Sequence, residues 1–152
     1  GRNGMLITKK YSSYVFLAEI ITDLQFNTGA DFKITYCDDC GRCSAACPKT
    51  ECGECLSALS QKKGELTPEE QRLIRKYGSA WGCDICQEVC PHTEIARRNK
   101  TLCTPIPFFK NELLPIVTQD IIKNMSDEDF RSRAYSWRRR ETILRNLKIL
   151  EK

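Results

Sequence analysis

The chain has 152 residues, 41% of them hydrophobic and 29% charged, with a formal charge of +4. That suits one modest domain or two small ones with an adequate but not generous core, and no apolar run approaches the ~20 residues of a membrane span. Ten cysteines with no charged-then-apolar secretory leader argue against a secreted disulfide scaffold and point to a reducing cytoplasm, where thiolates are available as ligands.

Met5 to Thr8 reads as a short strand and Tyr14 to Ile21, rich in aromatic and β-branched residues, as a second, with Lys9 to Ser13 as the turn. A lone hairpin is marginal in water, and this one would expose Phe16, Leu17, Ile20 and Ile21. It is therefore expected either to pack on the downstream part of the chain or to pair with sequence upstream. The glycines of Gly1-Arg2-Asn3-Gly4 suit a tight turn that needs left-handed backbone.

Cys37, Cys40, Cys43 and Cys47, followed by Pro48, form a Cys-x2-Cys-x2-Cys-x3-Cys-Pro run, the ligand pattern of a bacterial [4Fe–4S] ferredoxin. Cys83, Cys86, Cys90 and Pro91 repeat its x2 and x3 spacings and the trailing proline. Three thiolates at x2 spacing wrap one cube. The fourth starts a helix pointing away and ligates the other cluster in two-cluster proteins. The crossed assignment gives cluster 1 Cys37, Cys40, Cys43 and Cys90, and cluster 2 Cys47, Cys83, Cys86 and one more, from Cys52, Cys55 or Cys103. Structural zinc would use paired Cys-x2-Cys clips, but offers no reason for a third cysteine at x2 or a fourth at x3 before proline. Two oxidised cores and eight thiolates contribute about +4 and about −8, so the loaded protein should sit near neutrality.

Thr67-Pro68-Glu69-Glu70 is a capping box with proline at the first helical position. Leu73, Ile74 and Tyr77 share one face and Gly78 is the stop. The resulting helix of about three turns is expected to cover the second cluster. His92, the one histidine, is read as a surface or capping residue rather than a ligand.

Pro105-Ile106-Pro107-Phe108-Phe109 breaks regular structure and is expected to lay two aromatics on the cluster domain. Ser126-Asp127-Glu128-Asp129 reads as a helix start, with Phe130, Ala134 and Trp137 on one face. A last helix, about Arg138 to Leu150, carries Ile143, Leu144, Leu147 and Leu150 as its apolar stripe. Six arginines between Arg131 and Arg145 form either a solvated face or a set of phosphate contacts to RNA.

Several of these stretches resemble epoxyqueuosine reductases. Gly1 to Ile7 with Tyr14-Val15-Phe16-Leu17-Ala18-Glu19-Ile20-Ile21-Thr22-Asp23-Leu24 looks like the end of that family's cobalamin-binding domain, which precedes a double-cluster domain. Trp81-Gly82-Cys83-Asp84-Ile85-Cys86-Gln87-Glu88-Val89-Cys90-Pro91 matches the family's wording beyond generic ferredoxin. Tyr135-Ser136-Trp137, then Arg145-Asn146, is similar to its C-terminal segment. Cys55-Leu56-Ser57-Ala58-Leu59 followed by Lys62-Lys63-Gly64-Glu65-Leu66 resembles its cysteine, short helix and Lys-Gly-Glu turn, so the resemblance makes Cys55 the eighth ligand. Two departures stand out. The loop after Pro48 is shorter and carries two cysteines, and the opening Gly-Arg-Asn-Gly replaces the commoner Gly-Lys-Asn-Thr.

The implied fold is α+β: a β-hairpin remnant of an α/β cobalamin-binding domain (1–30), a mainly helical double-cluster ferredoxin-like domain (31–104) and C-terminal helices (105–152). The resemblance implies a cytoplasmic enzyme that reduces epoxyqueuosine in a tRNA anticodon to queuosine, using cobalamin. Two [4Fe–4S] clusters would relay electrons to it from a reduced ferredoxin- or flavodoxin-type donor. It assigns no catalytic residue here. The family's acidic proton donor and most of its cobalamin contacts lie upstream of Gly1, so this polypeptide alone is not expected to turn over. A free-standing ferredoxin-type carrier and a related cobalamin reductase of the reductive dehalogenase kind are the alternatives, with a cluster-based RNA-binding or redox-sensing module third.

Overall fold

The computed structural model describes residues 1–26, 37–111 and 113–151, without the side chains of Thr50 and Cys52. The boundary drawn at residues 30 and 31 lies outside the described residues. Among those described the regular structure is helical. In chain order the α-helices are α1 (Arg42–Ala46), α2 (Lys49–Cys52), α3 (Leu56–Ser60), α4 (Pro68–Tyr77), α5 (Ile85–Glu88), α6 (Pro91–Arg98), α7 (Gln119–Asn124), α8 (Asp127–Arg131) and α9 (Arg140–Leu150). None of them is long and apolar enough to cross a membrane.

The chain packs as two interleaved units, Gly1–Ala46 with Ile85–Pro107, and Cys47–Asp84 with Phe108–Lys152. In the first unit α1 packs on α5, and α5 on α6. All three are too short to persist alone. Among its described residues only Ile7 and Ala96 are buried apolar side chains, whereas Ser12, Ser13, Gln87 and Thr93 are buried and polar. These polar groups pair with one another. Ser12 Oγ lies 2.8 Å from Thr93 Oγ1, and Ser13 Oγ donates to Gln87 Oε1 at 2.8 Å. Thr101 Oγ1 donates to the Lys10 carbonyl at 2.6 Å.

The expected β-hairpin is not present. An isolated antiparallel bridge, Thr8 to Ser12, is the β pairing among the described residues, and residues 14–26 run without regular structure. The turn is pinned by its serines to α5 and α6, and among the described residues the stretch after it has no partner strand. Two strands alone would be marginal in any case. Phe16, Ile20 and Ile21 are 86%, 89% and 100% exposed. The fold is thus mostly helical rather than α+β.

The second unit has a conventional core in two parts, both closed by α9. Leu56, Leu59, Leu66, Leu73, Ile74 and Ile149 form one, with Tyr77 and Leu150 at its edge. Ile122, Phe130, Ile143 and Leu147 form the other, flanked by Trp81, Met125 and Tyr135. Each fully buried Leu, Ile or Phe favours the fold by about 1.5–3 kcal/mol before ordering costs.

The caps follow the sequence. Thr67 Oγ1 accepts from the Glu70 amide while the Glu70 carboxylate accepts from the Thr67 amide. Gly78, at φ 62°, ends α4 in the left-handed region. Ser126 Oγ accepts from the Asp129 amide at 3.0 Å to start α8. That helix stops at Arg131, so Phe130 and Trp137 do not share a helical face: Phe130 is buried and Trp137 is 60% exposed. Phe108 and Phe109 also depart from expectation, both exposed and meeting edge-to-face at 5.2 Å.

Candidate metal centre

Within the first unit, the run from Cys37 to Cys43 coils because two of its residues take left-handed backbone, Asp39 at φ 49° and Gly41 at φ 75°. Aspartate tolerates this region better than most side chains, and glycine has no Cβ to oppose it. Cys43 lies in α1, and Cys90 is the N-cap of α6 with Pro91 at its first position. The packing of α1 on α5, just ahead of α6, brings Cys90 to the Cys37–Cys43 loop. Cys37, Cys40, Cys43 and Cys90 line one partly open concavity, with Arg2 and His92 on its wall. All four cysteines are free of disulfides.

Backbone amides of Arg2 and Asp39 hydrogen-bond the Cys37 sulfur and hold that thiol below its ordinary pKa. Amides aimed at sulfur favour the thiolate, the form that binds metal. The Arg2 guanidinium pairs with the Asp39 carboxylate at 2.8 Å, locking the segment that carries one amide to the loop that carries the other. The His92 side chain is part-buried, 21% exposed, with Nε2 3.5 Å from Asp38 Oδ2 and not hydrogen-bonded.

Among the described residues no three His, Cys, Asp or Glu side chains are arranged to hold a single metal ion. A zinc clip would bring its sulfurs to ~2.3 Å from one point. Four thiols lining one concavity, with amides directed at one of the sulfurs, are a donor set of the chemistry an iron–sulfur cube takes.

Of the remaining sequence candidates, Cys47, Cys55 and Cys83 belong to the second unit and Cys86 to the first. Cys47 Sγ accepts from the Lys49 amide at 3.5 Å. Cys55 is the N-cap of α3, and Cys83 packs beside Leu56 and its neighbours. Cys103 is exposed, and the Cys52 side chain lies outside the described residues. One residue near this set had no sequence signal: Glu51 of α2. Its carboxylate accepts from Lys76 Nζ at 2.5 Å, Arg72 Nη2 at 2.8 Å and Tyr77 Oη at 2.8 Å, and these partners, Lys76 foremost, lower its pKa to about 2.

The arginines divide into two groups. Arg140 donates to the carbonyls of Ile122 and Met125 at the end of α7 and pairs with Asp127 at 2.8 Å. Arg145 donates to the carbonyls of Lys62 and Gly64, and burial lowers its pKa. These two serve the fold. Arg131 and Arg139 are exposed, and Arg138 stacks on Trp137 at 4.0 Å.

No protein-family model matches the sequence. Solved structures place the fold among bacterial reductases. It matches epoxyqueuosine reductase from Streptococcus thermophilus at a TM-score of 0.69 with 30% identity, over 99% of this chain and 41% of that one. A second match, at 0.59 and 25% identity over 97% of this chain and 41% of that one, is an epoxyqueuosine reductase solved with a tRNA-Tyr stem loop. In sequence, the chain is 34% identical to epoxyqueuosine reductase from Lactococcus garvieae over 97% of its own length and 43% of the relative's. Over nearly all of its length the chain is similar to epoxyqueuosine reductases, as a segment consistent with their C-terminal part. It spans about two fifths of the length of the relatives it matches.

Proposed function

We propose that this chain is the electron-relay part of a cobalamin-dependent epoxyqueuosine reductase, acting in tRNA queuosine formation. The observation that carries the proposal is the convergence of Cys90 with Cys37, Cys40 and Cys43 on one concavity, the crossed pattern of a two-cluster ferredoxin. When bound, two [4Fe–4S] clusters and a cobalamin would supply one-electron storage and the reducing chemistry.

The chain's own residues do the holding and tuning. Cys37, Cys40, Cys43 and Cys90 bind the first cluster as thiolates, and the Arg2 and Asp39 amides stabilise the charge on Cys37. Cys47, Cys55, Cys83 and Cys86 are the holders of the second, a reading that rests on their spacing and on the family resemblance. A reduced ferredoxin- or flavodoxin-type protein is the donor, and tRNA is the partner of the whole enzyme, met by Arg131, Arg138 and Arg139 rather than by Arg140 or Arg145.

Iron and acid-labile sulfide per chain, measured after anaerobic purification, test this directly. About eight of each are expected. Cys90→Ala should remove about four irons, and Cys103→Ala none. A colourless zinc protein, or a Cys90→Ala variant with its iron intact, would overturn the reading.

A further inference from the structure

Resting on the reading of Cys47 and Cys55 as ligands, we propose that Glu51 is a positioning residue for the second cluster. Held by Lys76, Arg72 and Tyr77 of α4, its carboxylate fixes the α2 turn that follows Cys47 and leads to Cys55.

The two cysteines are anchored differently. Cys55 starts α3, whose Leu56 and Leu59 are each 1% exposed in the core, so its backbone is set by packing. Cys47 is followed by buried Pro48 and by α2, a helix of four residues whose N-cap makes no side-chain hydrogen bond. So short a helix does not hold itself. Its polar anchor is Glu51, through the three hydrogen bonds to α4. That helix is fixed by its own capping box and by buried Leu73 and Ile74.

Shifting α2 would also move the Lys49 amide, which donates to the Cys47 sulfur at 3.5 Å. Both the place of the ligand and its hydrogen bonding therefore depend on Glu51, and hydrogen bonds to sulfur help set a cluster's potential. The loop after Pro48 is shorter than the resemblance leads one to expect, and this clamp is the device that holds it.

The test uses the whole chain, purified anaerobically, with iron content, the EPR spectrum of the reduced protein and the potential of each cluster as readouts. Glu51→Ala should lower iron from about eight to about four per chain, or shift the potential and EPR signal of one cluster while leaving the other unchanged. Glu51→Gln, which keeps one acceptor oxygen, for either Arg72 or Tyr77, should restore part of the effect. Full iron with both signals and both potentials unchanged in Glu51→Ala would overturn the proposal. If that variant does not accumulate folded, Lys76→Met is measured instead: a change in one cluster supports the proposal and none overturns it. A parent chain that holds no iron refutes the underlying ligand reading before any substitution is made, so the two failures are distinguishable.

Discussion

Asn146 tests whether the Arg145–Asn146 pair serves the fold or the substrate. Its side chain is fully buried. Nδ2 donates to the Ser60 carbonyl at 2.6 Å and to the Ala80 carbonyl at 2.8 Å. Oδ1 accepts from Arg145 Nε at 3.1 Å and Nη2 at 2.9 Å. Asn146→Ala strips both carbonyls of this donor, although Ser60 keeps a 3.5 Å contact from Arg145 Nη2. At about 1–3 kcal/mol for each buried group left unsatisfied, one full and one partial loss amount to about 3 kcal/mol. For a chain of this length that is a fall in Tm of about 6–12 °C. Anaerobic thermal unfolding followed by far-UV circular dichroism reads the change, against Lys148→Ala on the exposed side of α9, which should stay within about 0.5 kcal/mol. A loss in Asn146→Ala no greater than in that control would refute the buried network.

Arg139 sits at φ 71° and ψ 161°, a region reached almost only by glycine; Arg139→Gly should raise the Tm, and an unchanged or lower value would contradict the strain. The lowered Glu51 carboxyl makes an acid-side contribution that is complete above the unfolded value of about 4.3 and disappears as pH falls through about 2. Unfolding curves of the parent and Glu51→Gln, followed by tryptophan fluorescence, should therefore differ near neutrality and converge in acid, and a constant gap would count against the ion-pair cluster. Removing iron with a chelator under argon should leave amides of α4 and α9 protected from hydrogen exchange while those of α6 lose protection. Equal loss in both units would refute the separation.

What could be read from the sequence was local. The α4 capping box needs only four consecutive residues, and its helix appears with Leu73 and Ile74 buried. The α9 stripe was half of the answer. Ile143 and Leu147 face one core cluster and Ile149 another, with Asn146 also buried, so the helix buries more than the single face that periodicity describes. The strand assignment for residues 14–21 rested on β-branched and aromatic composition, which expresses fit to a sheet, and no second strand is present among the described residues. In the site, the x3-Cys-Pro spacing carried the expectation that Cys90 leaves its own run, and Cys90 lines the concavity of Cys37, Cys40 and Cys43. The Arg2 and Asp39 amides have no side-chain signature. Glu51 meets partners 21 to 26 residues away, a pairing no local pattern encodes. Two of the six arginines, Arg140 and Arg145, are engaged with carbonyls, which charge counting does not reveal.

The contrast between the units explains why the cysteine runs belong where they are. Ten of the twelve buried apolar side chains among the described residues lie in the second unit, and Ile7 and Ala96 alone lie in the first. At about 1.5–3 kcal/mol for each large side chain, the second unit has a driving force of the kind that orders small helical domains. Among its described residues the first has only those two buried apolar side chains, with three helices of at most eight residues and buried serine, threonine and glutamine that must be hydrogen-bonded to be tolerated. On the proposed reading, four thiolates drawn from both ends of its sequence onto one cluster would supply a further source of cohesion, since metal binding in small domains contributes on the order of 10 kcal/mol to folding. In such a unit, changing a ligand changes the stability as well as the redox chemistry. The hydrogen-bonded turn at Ser12 and Ser13 ties the segment carrying the Arg2 amide to the helices adjoining Cys90, so the wall of the concavity and its cysteines are ordered together.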